Sequence, residues 1–289
     1  MLWPTALQEK LTHAVFRSQT ALAALLLSLG AHAQPPNWPE IKTPSPGPAA
    51  AIGSGSNGCL AGAEALPEEG HGYVSIRRGR NRFYGHPALL GLIGDLGKRL
   101  GKSDALLMIG DISQPRGGPM SSSHRSHQNG LDVDIWLSFA ASARIANEIY
   151  PEKTDPPSLV ATDGQQLAPT WGNPQRLLLK TLAEDPRVDR LFINPAIKRA
   201  LCETEPRDQR AWLRKLRPWW GHDAHVHVRI KCPSGNADCA AQAPLPAGDG
   251  CGNELAWWFS DEAKMPSKPA SPESVPIMPE ACKALLPKP

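Results

Sequence analysis

Two short segments alternate strictly between apolar and polar residues. In Leu131-Asp132-Val133-Asp134-Ile135, a period of two sends Asp132 and Asp134 to one face of a strand and Leu131, Val133 and Ile135 to the other. In Ala224-His225-Val226-His227-Val228-Arg229-Ile230, the same rule gathers His225, His227 and Arg229 on one face. Elsewhere the period lengthens. From His86 onward, Leu89, Leu90, Leu92, Ile93, Leu96 and Leu100 recur at spacings of three and four, which predicts a helix. Ala105 to Ile109 reads as a buried strand closed by Gly110-Asp111. Later segments predict a helix over Pro174 to Glu184, a strand over Val188 to Ile193, and helices over Pro195 to Cys202 and Asp208 to Arg217. Regular crossover helices do not join the two polar-faced strands. The expected class is therefore α+β: a small antiparallel sheet flanked by helices, with Trp219, Trp220, Trp257 and Trp258 read as core or, for one of them, as the wall of a cleft.

The ends of the chain read differently. Residues 21–30 form a short apolar run after Arg17, and Ala31-His32-Ala33 ends it in a small-x-small pattern, so residues 1–33 read as a secretory signal cleaved after Ala33. Ten apolar residues are too few to span a bilayer, which takes about 20. The stretch before Arg17 is long for such a leader, which suggests translation starting downstream, near Val15. Residues 34–57 are rich in Pro, Gly, Ser and Ala and read as a linker. The expected catalytic domain spans 58–260, and the Pro-rich tail from Asp261 shows no apolar periodicity. The formal charge of +3 becomes +2 once Lys10, Arg17 and Glu9 leave with the signal, so nothing in the balance points to nucleic acid.

Five of nine histidines fall in Ser-His124-Arg-Ser-His127 and Gly-His222-Asp-Ala-His225-Val-His227, each cluster beside one of the alternating strands. Imidazole and carboxylate on neighbouring strand faces are the ligand types of a catalytic zinc, which takes three protein ligands and keeps one position open. His127, Asp134 and His227 are the candidates, and such an ion lowers the pKa of its water to about 7. The sequence contains no Ser-x-x-Lys, no Gly-x-Ser-x-Gly and no His-Glu-x-x-His, which removes the common serine nucleophile motifs and one common zinc motif. The loop from Gln114 to Ser123, with its Pro, Gly and Ser residues, is expected to run along the mouth of the site and bring in His124. A basic run, Arg77-Arg78-Gly-Arg80-Asn-Arg82, could hold a peptide carboxylate by paired hydrogen bonds or polarise a carbonyl, whereas Arg207 to Arg217 reads as solvated surface.

The stretch from His124 to Ile135, together with Pro218-Trp-Trp-Gly-His222-Asp-Ala-His225-Val-His227-Val-Arg229, resembles the penicillin-insensitive murein endopeptidases, relatives of the D-Ala-D-Ala dipeptidases and lysostaphin-like enzymes. The likeness runs from about Cys59 to Cys282 and includes Gly72 to Pro87 and Phe192 to Lys198. It implies a zinc peptidase of the periplasm that cuts D-alanyl to meso-diaminopimelyl cross-links in peptidoglycan. The ligands it implies are His127, Asp134 and His227, with His124 as an added or exchangeable ligand and Asp132 in a supporting role. Many relatives place an acidic base three residues before the last zinc histidine, where this chain has Ala224. Proton transfer is therefore expected from His225, with His222 as second candidate and as a possible oxyanion partner alongside an arginine. The family also has an Asp and a His near a second metal. Asp163 matches the first, but Gln166 stands at the second, so the resemblance does not carry a second zinc to this chain.

Six cysteines in an exported chain point to disulfides, with 15 possible connectivities. The resemblance implies the pairs Cys59–Cys282, Cys202–Cys251 and Cys232–Cys239. The first of these would pin the tail. A cysteine-ligated zinc is disfavoured, since no C-x-x-C occurs.

Overall fold

The computed structural model describes residues 37–102, 104–121, 125–265 and 276–287. The expected signal with its cleavage after Ala33, the first residues of the expected linker, and His124 lie outside the described residues.

In chain order the elements are β1 (Ala50–Ser54), β2 (Asn57–Ala61), β3 (Glu64–Ala65), β4 (Glu69–Gly70), β5 (Tyr73–Ser75), β6 (Tyr84–Gly85), α1 (Pro87–Leu100), β7 (Leu106–Ile109) and β8 (Asp132–Ala140). There follow α2 (Ala143–Ile149), α3 (Asn173–Glu184), β9 (Val188–Ile193), α4 (Pro195–Thr204), β10 (Leu216–Pro218), β11 (His225–Ile230), α5 (Asn253–Trp257), α6 (Asp261–Lys264) and α7 (Glu280–Lys283). The class is α+β, as expected, but the sheet is neither small nor wholly antiparallel. Seven strands run in the order β10-β9-β11-β8-β7-β5-β4, and the pairs β10–β9 and β5–β7 are parallel. Its centre is antiparallel: β11 lies between β8 and β9, with His227 opposite Asp134 and Arg229 opposite Asp132.

The alternation read from the sequence decides what each face of this sheet does. Val133, Ile135 and Leu137 of β8, Val226 and Val228 of β11, and Leu191 and Ile193 of β9 are buried in one core with Leu89, Leu92, Ile93 and Leu96 of α1, Leu178 and Leu182 of α3, and Ile197 of α4. The other face carries Asp132, Asp134 and Trp136 beside His225, His227 and Arg229. The His86 side chain caps α1 by accepting a hydrogen bond from the Ala88 N–H, with Pro87 in the first turn where its missing donor costs nothing.

Two expectations need correction. Asp208 to Arg217 is not an α-helix: a short 3-10 turn over Ala211–Lys215 leads straight into β10. The residue before a proline is pushed towards extended backbone, and Arg217 precedes Pro218, so the segment joins the sheet edge beside β9 while Trp212, Leu213 and Leu216 stay buried. The second concerns residues 34–57, which from Asn37 onward are folded structure and no linker. Trp38, Ile41 and Ile52 are buried with Cys59 and Cys282 in a small separate core, and β1 and β2 form a hairpin. Small residues allow that hairpin to approach very closely. At Gly55, in its turn, an added Cβ would lie 2.5 Å from Asp132 Oδ2 and 2.4 Å from Arg229 Nη2.

Three disulfides join Cys59–Cys282, Cys202–Cys251 and Cys232–Cys239, the connectivity implied by the resemblance. The first ties α7, in the tail, to β2. Among the described residues no helix is long and apolar enough to cross a membrane.

Candidate metal centre and its cleft

Backbone geometry places the three expected ligands. Asp134 and His227 are cross-strand partners, so their side chains leave the same face of the sheet side by side. His127 reaches them from the loop before β8. Its φ of 67° is a left-handed conformation uncommon for a residue with a side chain, and its N–H is anchored on Asp132 Oδ2 at 3.0 Å. Donor atoms of His127, Asp134 and His227 all lie within 4.8 Å of one another, and all three residues are buried.

The spacing fits a tetrahedral ion. Asp134 Oδ1 is 3.4 Å from His127 Nε2 and 3.3 Å from His227 Nδ1. Bonds of about 2.0–2.1 Å from a tetrahedral zinc put neighbouring ligand atoms roughly 3.3–3.4 Å apart. The second nitrogen of His227 is already committed, because Nε2 lies 3.2 Å from Asp132 Oδ1. That leaves Nδ1 as the atom that would face an ion, with the tautomer fixed from behind by Asp132.

Asp132 is the hub of this support. It is fully buried, and its carboxylate accepts hydrogen bonds from Arg229 Nε at 2.6 Å and Nη2 at 2.9 Å, from the His127 N–H and from His227. Burial alone would raise its pKa. The charges of Arg229 and His227 outweigh that and hold it well below the usual carboxylate range. Asp134 behaves alike: burial works to raise it, and His127 and His225 pull it well below the usual range. For His227, burial works against a charged ring, yet Asp132 and Asp134 together push its pKa up to about 9. Without metal, therefore, the two carboxylates keep a proton on His227, and a divalent cation would take the place of that proton.

Beside the donor set, His225 Nε2 is 3.7 Å from Asp134 Oδ1, and its ring meets Trp136 edge-on at 5.3 Å. His222 donates from Nδ1 to the Trp220 carbonyl at 3.0 Å, which leaves Nε2 as a lone-pair acceptor. Burial and the nearby His225 and His227 lower its pKa to about 4, so the ring is neutral at neutral pH. A neutral ring with that tautomer has no donor left for an oxyanion.

An open cleft of about 540 Å³ is lined by Asp134, Trp136, His222 and His225 together with Arg77, Arg80, Asp111 and Asp155. Of the expected basic run, Arg77 and Arg80 reach the cleft. Arg77 lies over the Trp136 ring at 4.7 Å and pairs with Asp155 at 2.7 Å, and Arg80 pairs with Glu152 at 3.0 Å. Arg78 instead bonds the Leu66 carbonyl, and Arg82 pairs with Asp111 at 2.8 Å. Asp163 is an exposed loop residue whose Oδ1 accepts the N–H groups of Gln165 and Gln166. Among the described residues it joins no cluster of potential ligands.

The tryptophans are placed differently from expectation. Trp219, Trp220 and Trp257 are exposed by 55%, 43% and 45%, so they are surface and not core. Pro218 ends β10 immediately before this pair, and the chain leaves the sheet there. Sequence reasoning also missed Trp136 as a wall of the cleft. Trp136 was recoverable, since it continues the phase of Asp132 and Asp134.

A sheet with helices packed mainly on one face and two imidazoles with a carboxylate buried on the other, opening to a cleft, belongs to the class of metallopeptidases. Within that class, the family model described as penicillin-insensitive murein endopeptidase matches residues 51–287, and the chain belongs to this family. A protein of that name from Klebsiella pneumoniae (strain 342) is 45% identical over 269 residues, covering 92% of this chain and 96% of the relative. The Haemophilus influenzae protein of the same name is 42% identical over 278 residues, covering 93% and 95%. One from Escherichia coli O17:K52:H18 is 41% identical over 273 residues, covering 93% and 97%.

Proposed function

We propose that this chain is a zinc-dependent endopeptidase that hydrolyses D-alanyl to meso-diaminopimelyl cross-links of peptidoglycan in the periplasm, with His127, Asp134 and His227 as the metal ligands. The observation that carries the reading is the donor set itself, with ligand spacings suited to a tetrahedral ion, whose Asp134 lines an open cleft together with His225. The names of the relatives supply the substrate class.

Zinc, when bound, supplies Lewis-acid polarisation of the scissile carbonyl and a water made nucleophilic near neutral pH. The chain's own residues do the rest. Asp132 and Arg229 lock His227 in one tautomer and orientation. His225 accepts the proton of the attacking water and returns it to the leaving amine as the C–N bond breaks. It suits this role better than His222, because a ring with a pKa near 4 is a weak base at neutral pH. Trp136 holds the His225 ring from one side, and Arg80, the less buried of the two arginines in the cleft wall, offers a cationic edge for a carboxylate of the stem peptide.

Purified cross-linked muropeptide dimers test the reading. The expected result is conversion to monomers, insensitive to penicillin, abolished by a strong chelator and restored by zinc. A dimer that stays cross-linked while losing a terminal alanine would identify a carboxypeptidase instead.

A further inference from the structure

From the metal site a file of aromatic rings leads out to the surface. The Phe192 ring meets His227 at 5.2 Å and His222 at 6.4 Å. Trp219 stands against Phe192 at 6.0 Å, Trp258 against Trp219 at 6.1 Å, and Trp220 and Trp257 against Trp258 at 5.5 and 5.4 Å. Three of these four indoles are exposed large apolar groups, which a solvated surface does not explain. They are also held in place. Trp220 Nε1 donates to the Ala263 carbonyl at 3.1 Å and Trp257 Nε1 to Glu262 at 3.3 Å, so their polar edges are tied down and presenting a ring costs little ordering entropy.

We propose that Trp219, Trp220, Trp257 and Trp258 form a platform that binds the glycan strand of peptidoglycan, by stacking indole faces on the apolar faces of amino-sugar rings, while the attached stem peptide enters the cleft. The inference rests on the cross-link reading for its choice of ligand. Two observations favour this occupant. The platform is continuous with the site through Phe192, so one substrate carrying both peptide and sugar can span the two. The helix that receives the indole N–H groups of Trp220 and Trp257 carries Asp261 and Glu262, with Lys264 close to Asp261, so among the described residues this surface lacks the excess basic charge that an anionic bilayer attracts.

Calorimetric titration of the full chain with peptide-free glycan strands reads the platform without any turnover. The native protein should bind, Trp219→Ala and Trp257→Ala should weaken binding about tenfold, and Trp219→Phe should retain most of it. Equal binding by all variants, or none by the native protein, overturns the proposal. Turnover supplies the second arm: the alanine variants should lose rate on intact sacculi but not on a sugar-free cross-linked peptide dimer. If the native protein cleaves both substrates and the variants match it on both, the platform fails and the cross-link reading stands. If the native protein cleaves neither yet binds glycan in a tryptophan-dependent way, the reading of the reaction fails and the platform stands. A native dimer dispersed by Trp219→Ala, or native binding to vesicles of phosphatidylethanolamine and phosphatidylglycerol, in either case without glycan binding, would give the surface another occupant and overturn the proposal.

Discussion

Asp132→Asn changes one atom at the hub of the site, and the structure gives the size of its effect. Oδ1 accepts from Arg229 Nε and His227 Nε2, and Oδ2 accepts from Arg229 Nη2 and the His127 N–H. Whichever way the asparagine amide is seated, its NH₂ faces two donors, so two of the four bonds are lost. Hydrogen bonds to charged groups contribute about 1.5–3 kcal/mol each, which gives roughly 3–6 kcal/mol. Breaking a buried ion pair from one side costs about 3–5 kcal/mol, since it leaves Arg229 buried without its counterion, and the two routes agree. The expected loss is therefore about 3–5 kcal/mol in urea denaturation of the metal-free, oxidised protein, with zinc affinity falling about 10- to 100-fold in a competition titration. The pH dependence has a definite sign. The folded carboxyl is held well below its unfolded value of about 3.9, so its stabilisation is complete above that value and is lost as pH falls towards the folded one. The variant should lack this part of the acid limb. A stability loss under about 1 kcal/mol with unchanged zinc affinity would refute the role given to Asp132.

Further outcomes follow from the same structure. Gly55→Ala should lower stability and zinc affinity together, because its Cβ would collide with the Asp132–Arg229 pair; unchanged values in both measurements would mean that the hairpin does not cover it. His225→Ala should keep its zinc and lose about 10²- to 10⁴-fold in kcat/KM, whereas full activity there alongside loss in His222→Ala would move the proton transfer to His222. Lys198 is fully buried against the carbonyls of Leu213, Leu216 and Asp249, and burial, reinforced by Arg217, lowers its pKa to about 7. The unfolded chain holds that proton to about 10.4, so this group makes the native state gain stability as pH rises between those values, and Lys198→Met should remove the slope from denaturation midpoints measured across that range.

Much of the site was legible because a period of two is easily read where one face is apolar. The phase of Leu131 to Ile135 and of Ala224 to Ile230 placed Asp132, Asp134, His225, His227 and Arg229 on one polar face each, and the structure sets those faces side by side. Alternation does not reveal partners distant in sequence. Nothing in the Pro- and Gly-rich composition of residues 34–57 signals that Trp38 and Ile52 bury themselves against a disulfide joining β2 to the tail, or that Gly55 covers the ion pair. The segment over Asp208 to Arg217 has helical spacing, yet Pro218 and the free edge of β9 draw its end into the sheet. The tryptophans misled for a different reason: bulk and hydrophobicity favour burial on average, and only the fold shows where a surface holds such residues outward.

The central claim is tested most directly by measuring zinc per chain and cross-link cleavage together in the native protein and in His127→Ala, Asp134→Ala and His227→Ala. The expected result is one zinc and conversion of muropeptide dimers to monomers for the native protein. Each variant, its three disulfides intact, should have lost both. A variant that retains full zinc stoichiometry and cleaves dimers at the native rate would contradict the assignment of that residue, and native activity without any bound metal would contradict the account as a whole.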